Sequence, residues 1–100
     1  MIQMTPVVLE GFTAIAIEVK LPLTTLVMVS TDKGYIMCGA LDVGLLNERL
    51  KDRLIIAARA TGVKTIEELL EAPLESVTYE AERMGIVPGM KGKEAILKMR

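Results

Sequence analysis

The residues best suited to chemistry fall in two short stretches. Cys38, the only cysteine, follows the apolar run Tyr35-Ile36-Met37 and precedes Gly39-Ala40-Leu41-Asp42. If Asp42 opens a helix, the backbone N–H groups at its start would hold an anion and favour a thiolate. Gly39 would let a ligand approach the backbone closely. Arg59 is the one charged residue between Leu54 and Val63, and its fork of donors suits a carboxylate or phosphate. Two active readings follow. In one, Cys38 is a nucleophile or redox-sensitive thiol with Arg59 as anion partner. In the other, Gly39, Asp42 and Arg59 bind a small anion.

Each has a plainer counterpart. A free cysteine in an apolar strand usually packs as a small hydrophobe. Arg59 paired with Asp42 is equally well a structural ion pair or a bridge between subunits, since such pairs also stand out in a sequence. The structural readings are favoured at both places.

Composition removes much else. The 100 residues contain no His, which excludes Ser-His-Asp and Cys-His catalysis and a His-bearing zinc site. One Cys gives no intrachain disulfide. No metal site and no cofactor are expected. A formal net charge of -1 exerts no general pull on nucleic acid or anionic membrane. No basic segment precedes an apolar run at the N-terminus, and the uncharged stretch Leu21 to Thr31 is too short to span a bilayer, so a cytoplasmic protein is expected.

The elements that position these residues are legible from periodicity. Thr5–Glu10, Phe12–Lys20, Leu23–Thr31 and Tyr35–Gly39 read as four strands. Phe12, Ala14, Ala16, Glu18 and Lys20 alternate with Thr13, Ile15, Ile17 and Val19. Short connections at Glu10-Gly11, Pro22 and Asp32-Lys33-Gly34 predict a mostly antiparallel meander. Asp42 then caps a helix through Leu45, Leu46 and Leu50, and Leu54–Ala60 reads as a buried strand. Together with the fourth strand these form a parallel β-α-β crossover.

Thr65 caps a helix over Ile66–Glu71, with Glu68 at the capping-box position. Pro73 is placed at the start of a further helix whose buried stripe is Leu74, Val77, Ala81 and Met84, ending at Gly85. Lys93–Met99 forms a last short helix. The whole is one α+β domain over 1–100, with two or three short C-terminal helices packed on one face of the sheet.

Charge is divided unevenly: residues 1–41 hold Glu10, Glu18, Lys20, Asp32 and Lys33, and the other twenty charges follow. Leu26-Val27-Met28-Val29 has no polar position at its centre. A domain of this size hides only about 60–65% of the surface its unfolded chain exposes. Residues 1–41 are therefore expected to form an oligomerisation region, with copies of the chain shielding one another, and 42–100 the helix-rich remainder. The C-terminal segment 91–100 carries Lys91, Lys93, Lys98 and Arg100 against Glu94, a weak nucleic-acid reading opposed by the six glutamates of residues 66–83.

The string Gly34-Tyr35-Ile36-Met37-Cys38-Gly39-Ala40-Leu41-Asp42-Val43, with Arg59, Thr61-Gly62-Val63, Thr65-Ile66 and Ala72-Pro73-Leu74-Glu75-Ser76-Val77-Thr78-Tyr79, resembles the YunC-like family of bacterial and archaeal domains of unknown function. The resemblance implies an α/β domain whose N-terminal β region mediates tetramer formation. It carries no established activity and no catalytic residues. The expected function is that of a homo-oligomeric binding or assembly module with a small-anion site at the strand ends. The alternatives are a small thiol-dependent enzyme using Cys38 and a C-terminal nucleic-acid element.

Overall fold

The computed structural model describes residues 1–39, 43–48 and 53–100. Asp42, expected as a helix cap, and Arg49, Leu50, Lys51 and Asp52 lie outside them. Strands β1 (Ile2–Leu9), β2 (Phe12–Leu21), β3 (Thr24–Ser30), β4 (Gly34–Met37), β5 (Ile56–Arg59) and β6 (Ser76–Val77) form one sheet in chain order. The first four pair as an antiparallel meander, β4 and β5 pair in parallel, and β6 returns antiparallel. The expected meander and parallel crossover are both present.

Turn chemistry sets the registers. Leu9 pairs with Phe12, and Glu10 and Gly11 between them both have positive φ, 48° and 77°, the combination of a type I′ hairpin. At the next hairpin Leu21 pairs with Thr24 across Pro22 and Leu23. Proline fixes a negative φ and Leu23 has φ 66°, which is the pattern of a type II turn. A left-handed leucine costs about 1–2 kcal/mol.

The open edge of β1 is also chemically defined. Met1 and Lys20 exchange backbone hydrogen bonds, so by antiparallel alternation Gln3 and Thr5 bond to β2, while Ile2, Met4, Pro6 and Val8 turn their backbone groups outward. The nitrogen of Pro6 therefore faces the open edge, the one place where a strand tolerates a missing donor.

The two sheet faces differ in bulk. One row set comprises Ala14, Ala16, Val27, Val29, Ile36 and Ala58, all at most 3% exposed. Helices α2 (Ile66–Glu71) and α4 (Gly92–Lys98) lie over it, and with Leu69, Leu74, Ile86, Ile96 and Met99 they complete one core. The small alanines let these helices approach closely. At Gly92 a Cβ would overlap the Leu69 carbonyl oxygen and Ile36 Cδ1. Helix α1 (Val43–Glu48) packs against β5 instead.

The register places Ile2, Met4, Val8, Ile15, Ile17, Val19, Leu21, Leu26, Met28 and Met37 on the opposite face. Ile2, Met4 and Val8 there remain 69%, 66% and 69% exposed. The bulkier side of the meander is the uncovered side.

Helix α2 begins as expected: Glu68 N donates to Thr65 Oγ1 at 3.1 Å. Glu68 Oε1 accepts from Lys64 N at 2.8 Å rather than from Thr65 N, a capping box displaced by one residue. Its last residue, Glu71, meets Lys93 and Lys91 at 2.9 and 3.5 Å. The Lys93 ammonium, through its hydrogen bond and charge, holds the Glu71 carboxyl below the usual carboxylate range, and Glu71 in turn raises Lys93.

One expectation is corrected. Residues 73–84 are not a single helix. Pro73 forms an isolated antiparallel bridge with Lys91, Ser76–Val77 is strand β6, and helix α3 spans only Tyr79–Arg83. The free edge of β5 claims this segment: Glu75 N donates to Arg59 O at 2.7 Å and Thr78 N to Ala57 O at 2.9 Å. Gly85, with φ 85°, does end the helix, and Ile86 N reaches back to Ala81 O in a Schellman arrangement. The fifth strand is likewise shorter than Leu54–Ala60, because Leu54 has φ 54° and cannot continue an extended backbone.

Thr78, 2% exposed, joins these parts. Its Oγ1 accepts from Ala57 N at 3.1 Å and from Ala81 N at 3.3 Å, serving strand and helix cap together. Thr78→Ala leaves both donors without that acceptor and is expected to cost about 1–2 kcal/mol in urea unfolding. Thr78→Ser, which keeps the oxygen, should retain most of that stability.

Candidate functional site

Strand alternation separates the residues that the sequence brings into one neighbourhood. Cys38 N donates to Val27 O at 3.1 Å. Its side chain is 6% exposed and belongs to the core under the helices. Met37 pairs with Arg59, so Arg59 projects from the opposite face. The thiol and the guanidinium do not share a site.

Gly39 and Arg59 do. A Cβ on Gly39 would stand 3.7 Å from Arg59 Nη2 and 3.9 Å from Thr61 Cγ2, so the guanidinium lies along exposed backbone at the carboxyl ends of the parallel strands. The Arg59 side chain is 32% exposed, and Nε is 3.9 Å from Glu75 Oε1, too long for a hydrogen bond. Among the described residues the occluded Nε has no hydrogen-bond partner. Glu75 is instead engaged by Ser76 Oγ, which donates to Oε1 at 2.7 Å. The expected Asp42 partner lies outside the described residues.

Arg59 therefore keeps donor capacity beside a glycine backbone, an arrangement able to hold one carboxylate or phosphate oxygen pair. Glu75 and Ser76 were not expected here. A Ser-Val-Thr sequence with two β-branched residues was their available signal, but a helical spacing of apolar residues masked it.

The basic C-terminal segment is partly spoken for, since Lys91 and Lys93 both face Glu71. Among the described residues no group of three or more His, Cys, Asp or Glu side chains is placed to hold a metal ion, and no helix is long and apolar enough to cross a membrane.

A mixed six-stranded sheet, helices over its alanine-rich side and a bare apolar side with one arginine at its margin define the class: a small α+β sheet domain. The chain belongs to the family described as a domain of unknown function, DUF1805, whose model matches residues 37–99. It is 61% identical over 99 residues to the uncharacterized protein YunC of Bacillus subtilis (strain 168), covering 99% of this chain and 98% of that one. The crystal structure of TA1206, a protein of unknown function from Thermoplasma acidophilum, superposes with a TM-score of 0.88 at 30% identity, over 100% of this chain and 94% of that one. These likenesses bear out the expected family and the α+β class.

Proposed function

We propose that this chain is a self-assembling module in which copies cover one another's bare sheet faces, with Gly39 and Arg59 forming a small-anion site at the margin. The observation that carries the reading is the inverted bulk of the meander. Isoleucines, methionines and leucines point to water, while alanines point to the helices. Four strands at about 4.8 Å spacing and roughly eight residues at about 3.3 Å rise give on the order of 500 Å² of flat area. Side-chain relief brings its accessible surface toward the ~800 Å² per partner of a standard interface. Exposed apolar patches of this extent mark interaction surfaces. The tetramer implied by the family resemblance is in keeping with this reading.

The second component rests on the occluded Arg59 Nε, which has no hydrogen-bond partner among the described residues. A buried donor without an acceptor is unfavourable, and an anionic ligand oxygen would supply one. The thiol-enzyme alternative has less in its favour, because Cys38 is buried on the other side of the sheet from Arg59. Native mass spectrometry of the purified chain tests both components together. The expected result is a closed oligomer at micromolar concentration carrying a retained anion that Arg59→Gln abolishes. A monomer at all concentrations overturns the assembly, and an oligomer without added mass overturns the anion site.

A further inference from the structure

Leu23, at the tip of the β2–β3 hairpin, is unfavourable twice over. It holds a left-handed backbone, φ 66°, where a type II turn asks for Gly or Asn. It is also completely exposed, at 107%, so no burial within its own chain offsets the strain. Within one copy, Gly or Asn would serve better on both counts. Backbone outliers of this kind persist where something beyond the local chain requires the side chain.

The surroundings indicate what that is. Leu21, in the same hairpin, is 46% exposed and lies on the bare face, beside the paired row Ile2, Val19 and Leu26. The tip thus continues the apolar surface past the end of the strands. The two leucines of the tip also line, with Thr24, Thr25, Gly62, Val63 and Lys64, a cleft of about 400 Å³, room for a leucine side chain from another molecule. A lipid surface fits less well, because among the described residues the tip has just two lysines beside it, Lys20 and Lys64, whereas binding at a membrane surface draws on a face rich in basic side chains.

We infer that Leu23 is an anchor that seats against a second copy of the chain. This rests on the self-assembly proposed above and assigns it a residue. In a two-fold arrangement the contact is made twice, each tip meeting the same surface of the other copy. The left-handed backbone is what presents the side chain outward, and its cost is recovered when the leucine leaves water.

The test is a sedimentation-velocity dilution series on the wild-type chain and on Leu23→Gly, Leu23→Asn and Leu23→Met, with far-UV circular dichroism on each. Gly and Asn suit the turn, so both variants fold. They are nevertheless expected to weaken association at least tenfold, while Leu23→Met, which keeps the apolar reach, stays within about threefold of wild type. A wild-type chain that is monomeric throughout overturns this inference and the assembly reading together. An oligomer that Leu23→Gly leaves unchanged overturns the anchor alone. Flotation of the wild type, but not of Leu23→Gly, with phosphatidylcholine vesicles, alongside unchanged association, replaces the second copy with a lipid surface and likewise overturns it.

Discussion

In the self-assembly proposed above, Met28→Glu is expected to leave folded monomers. Met28 sits in the middle of the bare face, opposite Ile17 on one neighbouring strand and Met37 on the other. Its side chain touches water rather than the helices, so a carboxylate there is tolerated in a free chain. In an assembly that carboxylate would be enclosed by apolar side chains with no cation in reach along its row until Arg59, two strands away. Leaving a charge unpaired in such a place costs several kcal/mol. At about 1.4 kcal/mol per factor of ten, association should fall by two orders of magnitude or more. Sedimentation velocity at micromolar concentration reads the change directly, with circular dichroism as the check on folding. An unchanged sedimentation coefficient would mean that the bare face is not where copies meet.

Gly92→Ala is expected to damage the fold itself. Alanine is the better helix former by about 1 kcal/mol, and Gly92 opens α4, so propensity alone predicts a gain. Contact geometry decides otherwise. The added methyl would overlap the Leu69 carbonyl oxygen and press on Ile36 Cδ1, and both lie in the packed core, Ile36 and Leu69 at 0% exposure. Neither neighbour is the loose end of a flexible chain, so α4 must move away from α2 and the sheet. A net loss of about 2–3 kcal/mol is expected, or roughly 10–20 °C in the thermal midpoint for a domain of this size. An unaltered midpoint in a thermal melt followed at 222 nm would show that α2 and α4 do not approach so closely.

The sequence made the meander legible because its signals are local. Period-two alternation from Phe12 to Lys20, glycine and proline at the reversals, and a threonine ahead of Ile66 each act within a few residues. It did not reveal which side of the sheet the helices would take, since Ala14 and Ile15 are both apolar and alternation alone assigns no side. The segment 73–84 misled for a physical reason. Leu74, Val77 and Ala81 are buried and spaced as on a helix, yet the bonds that make 76–77 a strand come from Arg59 and Ala57, far away in the chain.

The candidate site was partly legible in the same way. That Cys38 and Arg59 lie on adjacent strands follows from the β-α-β pattern. That they face opposite sides depends on the Met37–Arg59 pairing, which is a matter of register. The helical spacing of Leu74, Val77 and Ala81 hides Glu75 and Ser76, where the edge strand begins. Gly39 and Arg59 were found because a lone charge in an apolar strand and a glycine at a strand end are conspicuous without any knowledge of pairing.

Pro6 gives the sheet a one-way character. A molecule with a bare apolar flank and a free backbone rim has two ways to multiply, and the rim leads to ribbons without end. The imide nitrogen in the middle of that rim interrupts the row of donors that an incoming strand would need, leaving stretches too short to template one. In the proposed assembly, growth would then be confined to the flank, where symmetry closes the structure after a fixed number of copies.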